Sequence, residues 1–135
     1  MYSHVLIPVA LDHQREVSDK IEAARRLLRE GGRITLLSVV EQVPSYVTEY
    51  VSIKPEGKIL DGVRAQLEAM VGSAPDTVCM VVSGKPGIAI SDFAAKNGVD
   101  LIIVGSQRPG VQDYFLGSTA SRVVRRAPCA VFVLR

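Results

Sequence analysis

The sequence predicts an α/β domain built on a single doubly wound sheet of parallel strands. Two observations carry that expectation. Short apolar runs recur along the 135 residues, VLIPV (5–9), RITLLSVV (33–40), TVCMVV (77–82), LIIVG (101–105) and AVFVL (130–134). They are nearly continuous rather than alternating, which is the pattern of strands covered on both faces. The segments between them carry apolar residues at helical spacing, and strands alternating with helices close into a parallel sheet through right-handed crossovers. A chain of this length is one domain, here 1–135, and buries roughly two-thirds of its unfolded surface.

The elements follow in order. VLIPV ends at a polar segment and forms the first strand. From Arg15 to Glu30, Val17, Ile21, Ala24, Leu27 and Leu28 step by three and four, so one helical stripe is apolar, and Gly31-Gly32 supplies a stop. RITLLSVV, rich in β-branched residues and leucine, is the second strand. Residues 41–57 hold two prolines and no clear period, an excursion over the surface that is either a lid or a long loop. Helical spacing returns from Lys58 to Val71 through Ile59, Val63, Leu67, Met70 and Val71, and Gly72 ends it. TVCMVV is a third buried strand. After SGKPG, Ile88, Ala89, Phe93 and Ala94 define a short helix closed by Asn97-Gly98. LIIVG is the fourth strand. STASRVVRRA forms a helix with Ala120, Val123, Val124 and Ala127 on its apolar side, and AVFVL is the fifth strand.

Lysine and arginine number 16 against 14 acidic residues, and a net charge of +2 does not call for a nucleic-acid partner. The opening MYSHVLIPVALDHQ has no basic leader pattern, and no stretch approaches the roughly 18 apolar residues of a membrane span. A cytoplasmic protein without a membrane partner is the expectation. Cys79 and Cys129 sit in apolar runs without metal or redox spacing and read as buried structural thiols. His4 and His13 flank the first strand without ligand spacing, so they read as surface histidines and no metal site is assigned. Arg122, Arg125 and Arg126 are explained by the dipole of the last helix, with a partner-binding patch as the other reading.

The stretch GSQRPGVQDYFLGSTAS (105–121) is where ligand chemistry concentrates. In an open α/β sheet, ligands sit beyond the carboxyl ends of the strands where strand order reverses. Gly117-Ser118-Thr119 stands at the start of the last helix, whose free N–H groups and dipole favour an anion. Ser118 is either such a donor or simply an N-cap. Gly105 either lets backbone approach a ligand or makes a turn. Arg108 pairs with phosphate or is a solvated surface charge. Lys85 lacks the neighbours of a P-loop, and the first strand ends in PVALD rather than in the glycines of a dinucleotide fingerprint. A receiver domain would need an aspartate ending the third strand, where Ser83-Gly84 stands, and a serine hydrolase would need a histidine after its nucleophile.

VGSQRPGVQDYFLGSTASRVVRRAPCAVFVLR, with VLIPVALD, GKPG and GVDLIIVGS before it, resembles the universal stress protein family across nearly the whole chain. The SxRP run further resembles the F/G-type subgroup. The resemblance implies a Rossmann-like sheet of five parallel strands in the order 3-2-1-4-5 with four helices, of the adenine nucleotide alpha hydrolase-like kind. It implies a dimer that binds ATP, with Mg2+ accompanying the phosphates. It assigns the triphosphate to Gly105, Gly117, Ser118 and Thr119 and adenine or ribose contacts to Val9 and Val39; Pro8, Ala10, Asp12, Val104 and Arg108 complete the expected nucleotide-binding set. Two positions depart from the family pattern. Arg108 fills the place of its second glycine, with eight rather than nine residues before Gly117, and Ala10 stands where an aspartate follows Pro-Val, with Asp12 two residues later.

In that strand order Cys79 and Cys129 are too far apart to bridge within one subunit. AVFVL lies at an uncovered edge, which invites pairing with a second copy through Val131, Phe132, Val133 and Leu134. No evident general base stands near the phosphates, so ATP reads as a ligand that sets conformation or partner choice, with at most slow hydrolysis. The other readings are a nucleotide-free interaction module, whose protein partner carries no motif here, and a true ATPase or hydrolase using the same cleft.

Overall fold

Every strand pairs in parallel with its neighbours, in the order third, second, first, fourth and fifth along the chain. The elements are β1 (Tyr2–Pro8), α1 (Val17–Leu27), β2 (Leu28–Val40), α2 (Pro55–Val71), β3 (Thr77–Ser83), α3 (Pro86–Lys96), β4 (Leu101–Gly105), α4 (Ser118–Arg126) and β5 (Ala130–Leu134). The structure, a computed structural model, describes residues 1–10, 17–41, 55–72, 74–106 and 117–135.

Burial explains the continuous apolar runs. Val5, Ile7, Ile34, Leu36, Leu101 and Ile103 face α1 and α2, packing with Val17, Ala24 and Leu67. Leu6, Leu37, Ile102 and Val104 face the other way, onto Ile90 and Ala94 of α3 and Ala120 and Val123 of α4. Successive residues of each central strand therefore enter opposite layers, and both layers are apolar through the middle of the sheet. Gly87 lets the two helices on the second face approach. A Cβ there would come within 2.7 Å of the Arg122 Cβ.

Several boundaries differ from the sequence expectation. β1 begins at Tyr2 because Asp100 fastens its start: the carboxylate accepts from the Ser3 N–H, the Ser3 hydroxyl and the His4 N–H, each at 2.9 Å. Burial alone would raise the Asp100 pKa, and those donors outweigh it and hold the carboxyl below its usual range. α1 stops at Leu27 rather than at the glycine pair, since Leu28 already pairs with Tyr2. Gly31-Gly32 instead falls in the break of register between Tyr2↔Leu28 and His4↔Arg33, with Gly31 at φ +80°, a conformation that suits glycine. α2 starts at Pro55, three residues before Lys58, as proline is tolerated in a first turn. The rest of the expected excursion, residues 42–54, lies outside the described residues.

Four expectations about burial are corrected. In α3 Ile90 joins Ala94 in the core, whereas Ile88 is exposed; in α4 Val124 is exposed beside the buried Val123. β3 is a half-covered edge rather than a fully buried strand, with Val78 and Met80 open to solvent on its α3 side. His4 is no surface residue. It is buried inside β1, with Nδ1 3.1 Å from the Asn97 carbonyl and Nε2 2.8 Å from Thr35 Oγ1. A carbonyl only accepts, so Nδ1 donates to it, and in the neutral ring Nε2 accepts from the threonine hydroxyl. Burial first and the Arg33 charge second hold its pKa below the ordinary histidine value.

Candidate functional site

Strand order reverses at β1, which has β2 on one side and β4 on the other. β1 leads to α1 on one face of the sheet and β4 leads to α4 on the other, so the carboxyl edge of these strands marks the place where such sheets hold ligands. Most of the expected residues come to that edge. Pro8 ends β1 opposite Leu37, and Val9 continues the ladder by donating to the Leu37 carbonyl at 2.8 Å. Val9 is buried and Ala10 exposed, so the chain emerges into solvent between them. Val39 is half-buried near the end of β2, beyond the point where β1 stops.

On the β4 side Val104 is buried and Gly105 half-buried, Gly105 lying opposite Leu134 of β5. α4 begins at the same edge, since it must run back along the sheet between two parallel strands. Gly117 is its N-cap, at φ −57° and ψ 157°, and Ser118 and Thr119 are the first helical residues. The N-cap reading of Ser118 is thereby corrected by one position. A glycine cap has no side chain to satisfy the first N–H groups, and the first turn carries no acidic residue, so its dipole is not neutralised by the helix itself. Arg125 and Arg126 occupy the last turn, where that dipole favours cations. Ala120 and Val123 seat α4 on the sheet and fix where its amino end points. Asp12, Arg108 and His13 lie outside the described residues.

One residue of this edge carried no signal in the sequence. Ser106, directly after Gly105, is buried, and its Oγ has no hydrogen-bond partner among the described residues. A serine at a strand exit looks like any turn residue until its burial is known. The remaining reactive groups have other surroundings. Cys79 and Cys129 are free thiols on opposite edge regions of the sheet, and burial pushes both above the usual thiol pKa, away from nucleophilic chemistry. Among the described residues no cluster of three metal-ligating side chains occurs.

The family model for universal stress proteins matches residues 1–135. The chain belongs to the universal stress protein family. A universal stress protein encoded beside a sulfhydrylase gene of Thermus aquaticus is 30% identical over 128 residues, covering 92% of this chain and 91% of the relative. Among solved structures, universal stress protein UspA from Lactobacillus plantarum superposes with a TM-score of 0.68 at 27% identity, covering 99% of this chain and 98% of that one. The universal stress protein from Archaeoglobus fulgidus in complex with dAMP reaches a TM-score of 0.59 at 16% identity, covering 99% and 98%. A universal stress protein fold thus accounts for the strand order, and its G-type relatives span the full chain at 28% identity.

Proposed function

We propose that this chain is a cytoplasmic, dimeric regulatory protein that holds ATP across the carboxyl ends of β1, β2 and β4. The observation that carries the reading is the amino end of α4. Its cap is glycine, its first turn lacks acidic residues, and it follows β4, the strand that pairs with β1 where strand order reverses. Backbone N–H groups at such an end coordinate phosphate, with Ser118 and Thr119 as further donors. Val9 and Val39 offer an apolar bed for adenine on the opposite side, bounded by Pro8, Ala10 and Val104. The dAMP complex of the Archaeoglobus relative supports an adenine nucleotide in this fold. Asp12 would serve the ribose and Arg108 the phosphates. Mg2+ would ride on the phosphates. Among the described residues no helix is long and apolar enough to cross a membrane.

The dimer uses the free edge of β5. Phe132 is 39% exposed and floors a groove whose apolar part is formed with Ala23 and Leu27 of α1 and whose rim carries Asp19, Glu22 and Arg26; a second β5 laid alongside would cover the apolar part. Arg108 in place of a motif glycine favours the second reading, an interaction module of the same fold that needs no nucleotide.

Calorimetric titration with ATP and ADP separates the two. Saturable binding in the micromolar range is expected. Absence of heat at several temperatures, together with no nucleotide released on denaturing freshly purified protein, overturns the nucleotide reading in favour of the module.

A further inference from the structure

A buried hydroxyl without a partner weakens the folded state, because the group gives up water and receives nothing in return. Ser106 is in that position, at 5% exposure and with no partner for its Oγ among the described residues. Its direction follows from the strand. Ile102 and Val104 belong to the layer under α3 and α4, whereas Leu101 and Ile103 belong to the opposite layer. The Ser106 N–H donates to the Leu134 carbonyl at 3.1 Å, so the β4 ladder continues through this residue. Alternation then carries the Ser106 side chain to the Ile102 and Val104 face. α4 starts on that face at the same edge of the sheet, with Ala120 of its first turn in the same layer.

We propose that the Ser106 hydroxyl, set beneath the amino end of α4, is a phosphate-contacting donor whose hydrogen bond is completed by bound nucleotide. This rests on the nucleotide reading above and adds to it a residue that the glycine pattern does not mark. The chemistry suits the place. A hydroxyl can donate to a phosphate oxygen, and a hydrogen bond to an anion inside a water-poor pocket is stronger than one between neutral groups.

Ser106→Ala separates a ligand contact from a structural role, because it removes the hydroxyl and keeps the volume nearly unchanged. The melting temperature of the nucleotide-free variant is expected to equal or exceed that of the wild type, since the unpartnered group is gone. The dissociation constants of ATP and AMP should rise about tenfold, the scale of a lost hydrogen bond to a charged group. The constant for adenosine, which carries no phosphate, should not change. Retention of wild-type ATP affinity by the variant overturns the role of Ser106 and leaves the nucleotide reading standing. A lower melting temperature with equal losses for ATP and adenosine makes the hydroxyl structural and also overturns it. If the wild-type protein itself binds no nucleotide, the underlying reading falls and this inference with it.

Discussion

Gly117→Asp is expected to weaken ATP binding by at least about 100-fold while leaving the protein as stable as before or slightly more so. Gly117 is the N-cap of α4, and its φ of −57° and ψ of 157° are open to any L-residue. Aspartate is among the best caps: its carboxylate accepts from the first N–H groups and complements the helix dipole, an effect of about 0.3–1 kcal/mol. Those are the groups that a phosphate would use. The substituted carboxylate both occupies them and repels the ligand. At about 4 Å and an effective dielectric near 20, two unit charges repel by about 4 kcal/mol, enough for the stated loss even after screening. Gly117→Asn supplies a neutral cap of the same shape, and should retain more affinity than the aspartate variant. Calorimetry and thermal melting read both quantities. Wild-type ATP affinity in Gly117→Asp would mean that no phosphate sits at the end of α4.

If the proposed β5 dimer forms, Val133→Pro is expected to convert it to monomer without unfolding the subunit. In a parallel ladder, the N–H and C=O of one residue point to the same side of the strand, and those of the next point away. The Leu134 carbonyl accepts from Ser106 on β4, so the backbone groups of Val133 point to the free edge. Proline deletes one outward donor and leaves the β4 pairing intact, a substitution that edge strands tolerate. A charge at Val131 or Val133 would be a poorer test, because both side chains pack into the layer beneath α4 within their own subunit. Light scattering should report the monomer mass while circular dichroism stays unchanged. A dimer that survives the substitution excludes β5 as the interface.

The sheet was legible in the sequence because burial on both faces leaves a direct record, an uninterrupted apolar run, at β1, β2 and β4. Helix registers were less so. Ile88 and Ile90 differ by two residues, fit a short helical pattern about equally well, and only the contact with β2 and α4 decides which is inside. The end of α1 depended on a pairing between Leu28 and Tyr2 that is distant in sequence and carries no local signal. His4 reads as a surface residue until Thr35 and Asn97 are brought to its two nitrogens. At the candidate site, the positions of Gly105 at a strand exit and of Gly117-Ser118-Thr119 at a helix start were legible, because an apolar run ends at the first and helical spacing begins after the second. Ser106 was not, since an unpartnered buried hydroxyl is a property of the assembled fold.

The most direct measurement is a two-dimensional amide NMR titration of the isotope-labelled protein with ATP. The amides of Gly105, Ser106, Gly117, Ser118 and Thr119 are expected to shift together with those of Val9 and Val39, at one common dissociation constant. Shifts confined to another region, such as α1 and Phe132 of β5, or no shifts at all, would contradict a nucleotide site at the carboxyl edge of the sheet.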